Sequence, residues 1–354
     1  MIGYHASHEQ FSPADLARFV RAAEAANFGA VMSSDHLAPW SVRQGNSGFA
    51  WSWLGAAMQA TALPFGSLAI PTDGRYHPAL IAQAAATLCD LFPGRFRWIA
   101  AGSGEALNER PVGKGWPDKD ERNLRLFEGV SMIRKLWRGE TVSSTSFIKA
   151  ENLKLWSLPS TLPKIYGAAL SAETARWMGE WADGLITVRS SPEKTREIIA
   201  AFREGGGEGK PVILQFQLSW AAGTREQAVK DGWDQWRCCA LDADQLADLA
   251  TPEQFDEATA AVTLEAFDEG LCASTDAGDH IDWIRQYQAM GFSEIYLHNR
   301  GRNQLEFIDF LDARCSPPLQ GRLSEEGFEP ARNATPFRNA SGREMNERLA
   351  THLR

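Results

Sequence analysis

Residues 164–188 read KIYGAALSAETARWMGEWADGLITV, and this stretch contains the unit that decides the fold. Two short apolar runs, Lys164–Ala168 and Gly184–Val188, flank Ala172–Trp181, where apolar residues recur at helical spacing. A strand, a helix and a second strand in this order predict two parallel strands joined by a right-handed crossover.

The same alternation of short apolar runs and amphipathic stretches extends over most of the chain. The other strand candidates are Ile2–His5, Ala30–Ser33, Phe65–Ile70, Arg97–Ala101, Val212–Ser219 and Glu294–His298. One further helix candidate begins after Ser12, which is its expected cap. The other helix candidates cover His77–Phe92, Asp120–Trp137, Pro192–Arg203, Glu226–Trp236 and Asp279–Met290. Eight strands favour an α/β protein with a closed (β/α)8 barrel, the TIM-barrel fold, over an open sheet of about six or seven strands.

Two stretches interrupt the repeat, at about residues 143–160 and 237–270. Insertions in a barrel usually lie on the catalytic face, so the second is a candidate lid or substrate wall. We expect one domain over residues 1–315. Residues 316–354 are polar and lack periodicity, which favours a flexible tail over an arm that packs on a partner.

Composition excludes several classes of protein. The chain has 36 Lys+Arg against 45 Asp+Glu, a formal net charge of −9, which argues against binding to nucleic acid or anionic membranes. It has no apolar run near the ~18–20 residues that cross a bilayer, and its N-terminus does not resemble a signal peptide. The five cysteines are scattered without metal-binding spacing. We expect a cytoplasmic protein with no metal site.

Candidate catalytic residues lie where predicted strands end, because barrels place their active sites there. Asp35 and His36 follow the second strand, and an imidazole oriented by a carboxylate can act as acid or base near neutral pH. A turn cap by Asp35 beside an incidental histidine is the alternative. Of the 13 tryptophans, Trp40 is next to this pair and suggests a pocket wall, whereas Trp51 and Trp53 suggest core packing.

The fourth strand leads into Gly102-Ser103-Gly104-Glu105, a loop that can approach a phosphate or a flat ring closely. The third glycine of a dinucleotide-binding motif is missing here, because Asn108 stands near its position. The loop therefore does not predict a dinucleotide site of that kind. Glu105 and Glu109 would share one face of a helix. The chain has no HExxH or GxSxG motif, which makes a metalloprotease or a serine hydrolase a poor interpretation.

Taken together, these segments resemble the luciferase-like flavin- and deazaflavin-dependent oxidoreductases over about residues 2–312. Within that family the chain is most similar to the glucose-6-phosphate dehydrogenases that use coenzyme F-420, a deazaflavin. The matching motifs are Gly3-Tyr4…Ser7…Glu9-Gln10-Phe11, Ser34-Asp35-His36…Pro39-Trp40, Arg75-Tyr76…Pro78-Ala79, Gly102-Ser103-Gly104-Glu105-Ala106-Leu107-Asn108-Glu109 and Trp181-Ala182-Asp183-Gly184.

The resemblance implies a homodimeric barrel that transfers a hydride between a substrate carbon and a flavin-like ring. His36 would be the catalytic base, Asp35 its neighbour at the cofactor, and Glu105 the acid or proton relay. The residues implied at the cofactor are Asp35, Ser67, Leu68, Gly102, Gly104 and Asn108, with a strained bulge at Ser67-Leu68 behind the ring. The residues implied at the substrate are Glu9, Trp40 and Arg189.

The chain departs from the family where phosphate-binding cations should fall. Only Arg189 could serve, and Asp268 and Glu269 would repel a phosphate. The resemblance implies oxidation or reduction at an alcohol or hemiacetal carbon, with FMN or coenzyme F-420 as cofactor. The departures from the family favour a small, non-phosphorylated substrate. The alternatives are a reduced-FMN-dependent monooxygenase and a non-catalytic flavin-binding barrel.

Overall fold

Eight parallel strands close into a barrel in the computed structural model, which describes residues 1–314. They are β1 (Ile2–Ala6), β2 (Val31–Ser33), β3 (Phe65–Ala69), β4 (Phe96–Ala101), β5 (Lys164–Ala168), β6 (Gly184–Val188), β7 (Val212–Trp220) and β8 (Glu294–Asn299). The barrel closes because β1 pairs with both β2 and β8, so that Tyr4 lies opposite Val31 on one side and Leu297 on the other. The predicted (β/α)8 fold is confirmed, and every strand ends within one residue of its expected position.

Helices form the outer layer. They are Pro13–Ala25, Ala50–Ala60, Pro78–Leu91, Lys119–Trp137, Ala172–Trp181, Pro192–Phe202, Arg225–Trp236, Ala277–Gln288 and Gln304–Arg314. The N–H of Asp15 donates to the Ser12 hydroxyl at 3.1 Å, as the predicted cap requires. The helix Ala50–Ala60 was not predicted from the sequence. It has no side-chain cap, and apolar residues surround most of it, with Trp51 and Trp53 on its buried face. Both tryptophans pack in the core, as expected.

The two insertions have their own secondary structure. The first contains an antiparallel hairpin of Val142–Ser144 and Ala150–Leu153. The second contains three short helices, Ala243–Asp248, Pro252–Ala258 and Leu264–Asp268, ahead of a short strand, Ala273–Ser274, that pairs with β7. The expected C-terminal tail, residues 316–354, lies outside the described residues. Among residues 1–314, no helix is both long and apolar enough to cross a membrane.

Aromatic rings fill the closed end of the barrel. Trp98 from β4 stacks on Tyr166 from β5 at 5.9 Å between ring centroids, and its Nε1 donates to the Tyr296 hydroxyl at 3.3 Å. Nearer the carboxyl ends of the strands, His5, Gln215 and His298 replace these rings. The lumen therefore changes from an aromatic core to a polar pocket as it approaches its mouth.

The backbone irregularity in β3 lies before the expected position. Ser67 and Leu68 pair regularly with Ile99 and Ala100, so the predicted bulge at Ser67-Leu68 is not present. The register instead shifts between Phe65 and Gly66. Glycine is required next to this shift, because a Cβ on Gly66 would lie 2.1 Å from Cε2 of the Trp98 ring.

The close approach of Gly66 to Trp98 gives a test of the lumen packing. Gly66→Ala forces a methyl group into the Trp98 ring, and we expect it to lower the free energy of unfolding by about 1–3 kcal/mol. Gly55→Ala is the matched control, because nothing lies within 4 Å of that added methyl group and the residue is inside a helix. It should stabilise the protein by about 0.5–1 kcal/mol. Urea unfolding of both variants measures the difference, and equal effects would contradict the packing described here.

Candidate active site

His36 and Glu9 form a buried pair at the mouth of the barrel. The turn after β1 carries Glu9, and the loop after β2 carries His36. The hydroxyls of Ser7 and Ser34 donate to Oε2 of Glu9 at 2.7 and 2.8 Å, and its Oε1 lies 3.3 Å from Nε2 of His36. Burial alone would raise the pKa of Glu9, but His36, His5 and hydrogen bonds to the carboxylate outweigh it and lower this pKa. Glu9 is therefore an anion aimed at the imidazole.

Asn108 determines the tautomer of His36. Its Oδ1 accepts the N–H of Leu37 at 2.7 Å, so the orientation of its amide is set by the backbone. Its Nδ2 donates to Oε2 of Glu105 at 3.0 Å and lies 3.1 Å from Nδ1 of His36. Because Nδ2 is a donor only, this network assigns the lone pair to Nδ1 and the proton to Nε2 in the neutral imidazole. Nε2 faces Glu9.

Glu105 is the second carboxylate that faces His36. It precedes the short helix Ala106–Glu109 at the end of β4, and its Oε2 lies 3.8 Å from Nε2 of His36. A third of its side chain is exposed, so it borders the open mouth. Burial of its carboxylate raises its pKa, although the charge of His36 opposes this shift. A carboxyl group with a raised pKa is suited to donate a proton.

Asp35 points to a different set of partners. Its carboxylate pairs with the guanidinium of Arg75 at 2.7 Å and accepts from the Tyr76 hydroxyl at 3.3 Å. Burial raises the pKa of Asp35, and Arg75 opposes that shift. Arg75 was noted only as part of a matching motif, and its pairing with Asp35 from the loop after β3 was not predicted. Because Arg75 compensates the charge of Asp35, the pair as a whole has no net charge.

Glu109 was expected only to share a face with Glu105, yet it is buried. It accepts the backbone N–H of Arg75, which fixes the loop that carries the Asp35 partner. Gly74 permits this contact, because a Cβ there would lie 2.0 Å from Oε2 of Glu109. Burial raises the pKa of Glu109 to about 7.

A recess beside the acid–base group is lined by a glycine and half-buried apolar residues. Gly102 lies between Ile70 and Ala168, and a Cβ there would lie 3.4 Å from Ile70 and 3.8 Å from Ala168. Leu68, Ile70, Gly102 and Ala168 are all half-buried, so three strand ends present a low apolar floor. Gly104 adopts a left-handed φ of +90° that turns the loop toward Glu105. Ser67 is fully buried and bonded to backbone, so it supports this floor from behind.

The second insertion forms one wall next to His36. The Trp40 ring lies 5.0 Å from the His36 ring, centroid to centroid, and packs edge-to-face on Phe255 of the helix Pro252–Ala258 at 5.2 Å. Trp40 is half-buried, which leaves part of its face toward the mouth. The structure thus brings together His36, Trp40 and the insertion that was expected to be a substrate wall.

Arg189 is placed apart from this group. Its guanidinium donates to the backbone carbonyls of Gln217 and Gly270, and it lies over the ring of Phe216 at 5.8 Å. Phe216 faces outward, because it packs on Tyr287 of the helix layer. Arg189 therefore ties the end of β6 to β7 and to the second insertion.

Polar side chains inside the lumen were missed by the sequence analysis. Nε2 of Gln215 lies 3.4 Å from Nε2 of His5 and 3.2 Å from Nδ1 of His298. Burial lowers the pKa of His5 to about 4 and also lowers that of His298, so both are neutral near pH 7. Their signal was the period of two along β1, β7 and β8, which directs these polar residues inward. They form a neutral, hydrogen-bonding floor below His36.

A (β/α)8 barrel with a buried acid–base group and a glycine-lined recess at its carboxyl mouth is the architecture of an enzyme. The model of the luciferase-like monooxygenase family matches residues 2–294, and the chain belongs to this family. The resemblance noted from the sequence is confirmed.

Known relatives place the chain near enzymes that use F-420. It is 32% identical over 335 residues to an F-420-dependent glucose-6-phosphate dehydrogenase of Segniliparus rotundus, covering 90% of this chain and 98% of the relative. It is 32% identical over 333 residues to the corresponding enzyme of Nakamurella multipartita, covering 91% and 97%. Among solved structures, an F-420-dependent secondary alcohol dehydrogenase in complex with an F-420–acetone adduct superposes with a TM-score of 0.81 and 27% identity, covering 89% and 98%.

The buried carboxyl group of Glu109 predicts a pH dependence of stability. Its pKa of about 7 in the fold is above its value of 4.5 in the unfolded chain, so the folded state holds the proton more tightly. Between about pH 4.5 and 7 this group therefore lowers stability as the pH rises, by roughly 1.4 kcal/mol per pH unit. Glu109→Gln lacks this ionisation, and its stability relative to the native protein should increase across that range. Urea unfolding at pH 5 and pH 8 measures it; a constant difference would contradict the assignment.

Proposed function

We propose that the protein is an F-420-dependent oxidoreductase that transfers a hydride at an alcohol or hemiacetal carbon of a small substrate. The observation that carries this proposal is the placement of His36 between two carboxylates and the Asn108 amide, next to the glycine-lined recess. The relatives, named for F-420, support a deazaflavin rather than FMN. When bound in this recess, F-420 would supply the acceptor or donor of the hydride.

The residues that would hold the ring follow from the recess. Leu68, Ile70 and Ala168 supply an apolar surface, Gly102 leaves the floor low, and Gly104 turns the backbone beside it. Asn108 is held between His36 and Glu105, so its amide borders the same recess. The Asp35–Arg75 pair stabilises the loops after β2 and β3 behind this site.

Proton transfer is assigned to His36 and Glu9 acting as a unit. Nε2 of His36 carries the proton in the neutral tautomer, and it faces the one Glu9 oxygen that Ser7 and Ser34 leave open. In the oxidation direction, the substrate hydroxyl proton moves to Oε1 of Glu9 while the Nε2–H of His36 donates a hydrogen bond to the substrate oxygen. In the reduction direction, the same proton moves back from Glu9 to that oxygen. His36 is therefore the group that contacts the substrate oxygen, and Glu9 is the final acceptor of the proton.

Glu105 completes the acid–base set on the recess side. Burial raises the pKa of its carboxyl group above the ordinary value, and a third of the side chain is exposed at the mouth. With F-420 bound, Glu105 would supply or take up the proton that the ring gains or loses together with the hydride. Trp40 and the insertion helix Pro252–Ala258 restrict the space next to His36, which favours a small substrate.

The predicted absence of a substrate phosphate stays a prediction. The relatives are named for glucose 6-phosphate, so their names do not support it. The expected repulsion is also weaker than the sequence indicated, because Arg225 pairs with both oxygens of Asp268 at 2.7 Å. Arg189 is held by backbone carbonyls, which supports the prediction. We also keep three expectations as proposals. A single domain over residues 1–315 and a cytoplasmic location rest on the sequence pattern and composition, and a homodimer rests on the resemblance.

A reduced-FMN-dependent monooxygenase is the second candidate, because the matching family is described as luciferase-like monooxygenases. Oxygen consumption with reduced FMN distinguishes it from a dehydrogenase. A non-catalytic flavin-binding barrel is disfavoured, because ligand binding alone does not require His36, Glu9 and Glu105 to converge.

Cofactor titration followed by a histidine variant tests the proposed function. We expect the purified protein to bind F-420, seen as a change in its absorption spectrum, more tightly than FMN. His36→Ala should keep this binding but lower turnover by about 100- to 1,000-fold, because it removes the hydrogen-bond donor that holds the substrate oxygen during proton transfer to Glu9. Binding of neither cofactor would sink the proposal. Unchanged turnover of the variant with F-420 bound would refute the role of His36.

A further inference from the structure

Arg300 is a buried cation on the lumen side of the barrel mouth. It follows β8 directly, and the period of two places it on the same face as Tyr296 and His298, which lie in the lumen. Its Nη2 donates to Oε1 of Gln217 at 2.6 Å. Gln217 is two residues beyond Gln215 and also faces inward. Only 5% of Arg300 is exposed.

The charge of Arg300 has no partner within the described part of the chain. Across residues 1–314, no carboxylate forms an ion pair with its guanidinium within 4.0 Å, and its buried Nε has no hydrogen-bond acceptor. Its other neighbour is an aromatic face, the ring of Phe267 at 5.4 Å. A buried charge is costly unless it is paired, so an unpaired guanidinium here indicates that an anion is supplied from outside.

The acids around the mouth are already occupied. Asp268 pairs with Arg225 through both oxygens, and Asp256 pairs with Arg43 at 2.8 Å. Glu9 faces His36. None of these carboxylates is left over to compensate Arg300.

Arg300 is linked to the acid–base group through the turn after β1. The side chain of Gln10 donates to the Arg300 carbonyl at 2.9 Å, and its neighbour Glu9 contacts His36. On the outer side, the exposed Cys239 thiol lies 4.0 Å from Oε1 of Gln217. Arg300 and Gln217 each stand two residues beyond a residue of the polar lumen floor, so they lie at the mouth of the barrel.

We propose that Arg300 and Gln217 form a subsite for a carboxylate of the substrate, so that the substrate is a hydroxy acid or sugar acid rather than a neutral sugar. This inference rests on the proposed function for the reaction at His36. A guanidinium binds a carboxylate through two parallel hydrogen bonds, and the Gln217 amide adds a further donor. One cation matches the single charge of a carboxylate. A phosphate monoester carries about −1.5 to −2 and would need a second cation, but Arg189 is held by backbone carbonyls.

Three related sugars test the subsite. With F-420 as cofactor, we expect kcat/KM for D-glucuronate to exceed that for D-glucose, and D-glucose 6-phosphate to lie nearer to D-glucose. Arg300→Gln should reduce the ratio of D-glucuronate to D-glucose by about 10- to 100-fold, because a charge-assisted contact is lost. Arg302→Gln is the matched control, since it removes the same charge from an exposed arginine two residues away that contacts only backbone carbonyls. It should leave the ratio unchanged.

A second variant and a readout without turnover separate this proposal from the function. Gln217→Glu provides an internal counter-ion for Arg300, so it should fold and lose the D-glucuronate preference. The rise in Tm on adding D-glucuronate, at constant ionic strength, needs no cofactor and should be lost in both variants but not in Arg302→Gln. A Tm rise that survives in both variants, or a ratio that favours D-glucose 6-phosphate and depends on Arg300, would overturn the carboxylate assignment. If F-420 is not reduced yet the Tm pattern holds, only the proposed function fails.

Discussion

Parallel pairing of β1 with β8 is the constraint on which the site depends. It closes the sheet and gathers the carboxyl ends of all eight strands at one mouth, so loops far apart in the chain meet there. Glu9 reaches His36, and Asn108 comes from a strand end more than sixty residues away. Closure also sets an inner face on each strand. That face carries rings at one end and hydrogen-bonding groups at the other.

The site divides its charges between two tasks. Asp35 with Arg75 and Asp268 with Arg225 are paired and hold loops together, which adds little to the field at the mouth. Glu9 and Glu105 instead face an imidazole whose protonated nitrogen is set by Asn108. Asn108 carries much of this arrangement, because one amide receives a backbone N–H and donates to two catalytic groups. A buried amide with all its bonds made has one orientation, and it transmits that orientation to His36.

The strands could be predicted closely because β5 and β6 are continuous apolar runs bounded by clear turns. The helix Ala50–Ala60 could not, because apolar residues around most of its surface leave no helical period to detect. His36, Glu105 and Asn108 were predicted because they stand in compact motifs at strand ends. Their supports, Arg75 and Ser7, were not, since such contacts depend on how separate loops meet. Arg300 could not be identified from the sequence, because it stands out only through the lack of an ion-pair partner in the described residues. No sequence pattern shows which charges are paired in the fold.

The aromatic closure of the lumen has a kinetic consequence. Trp98, Tyr166 and Tyr296 block the far end of the barrel, so reactants exchange through the single mouth. The polar floor of His5, Gln215 and His298 lies deeper than the recess at Gly102 and Gly104. A cofactor and a substrate that share one entrance cannot bind independently when one covers the path of the other. A barrel closed at one end therefore imposes an order of binding and release on its reactants.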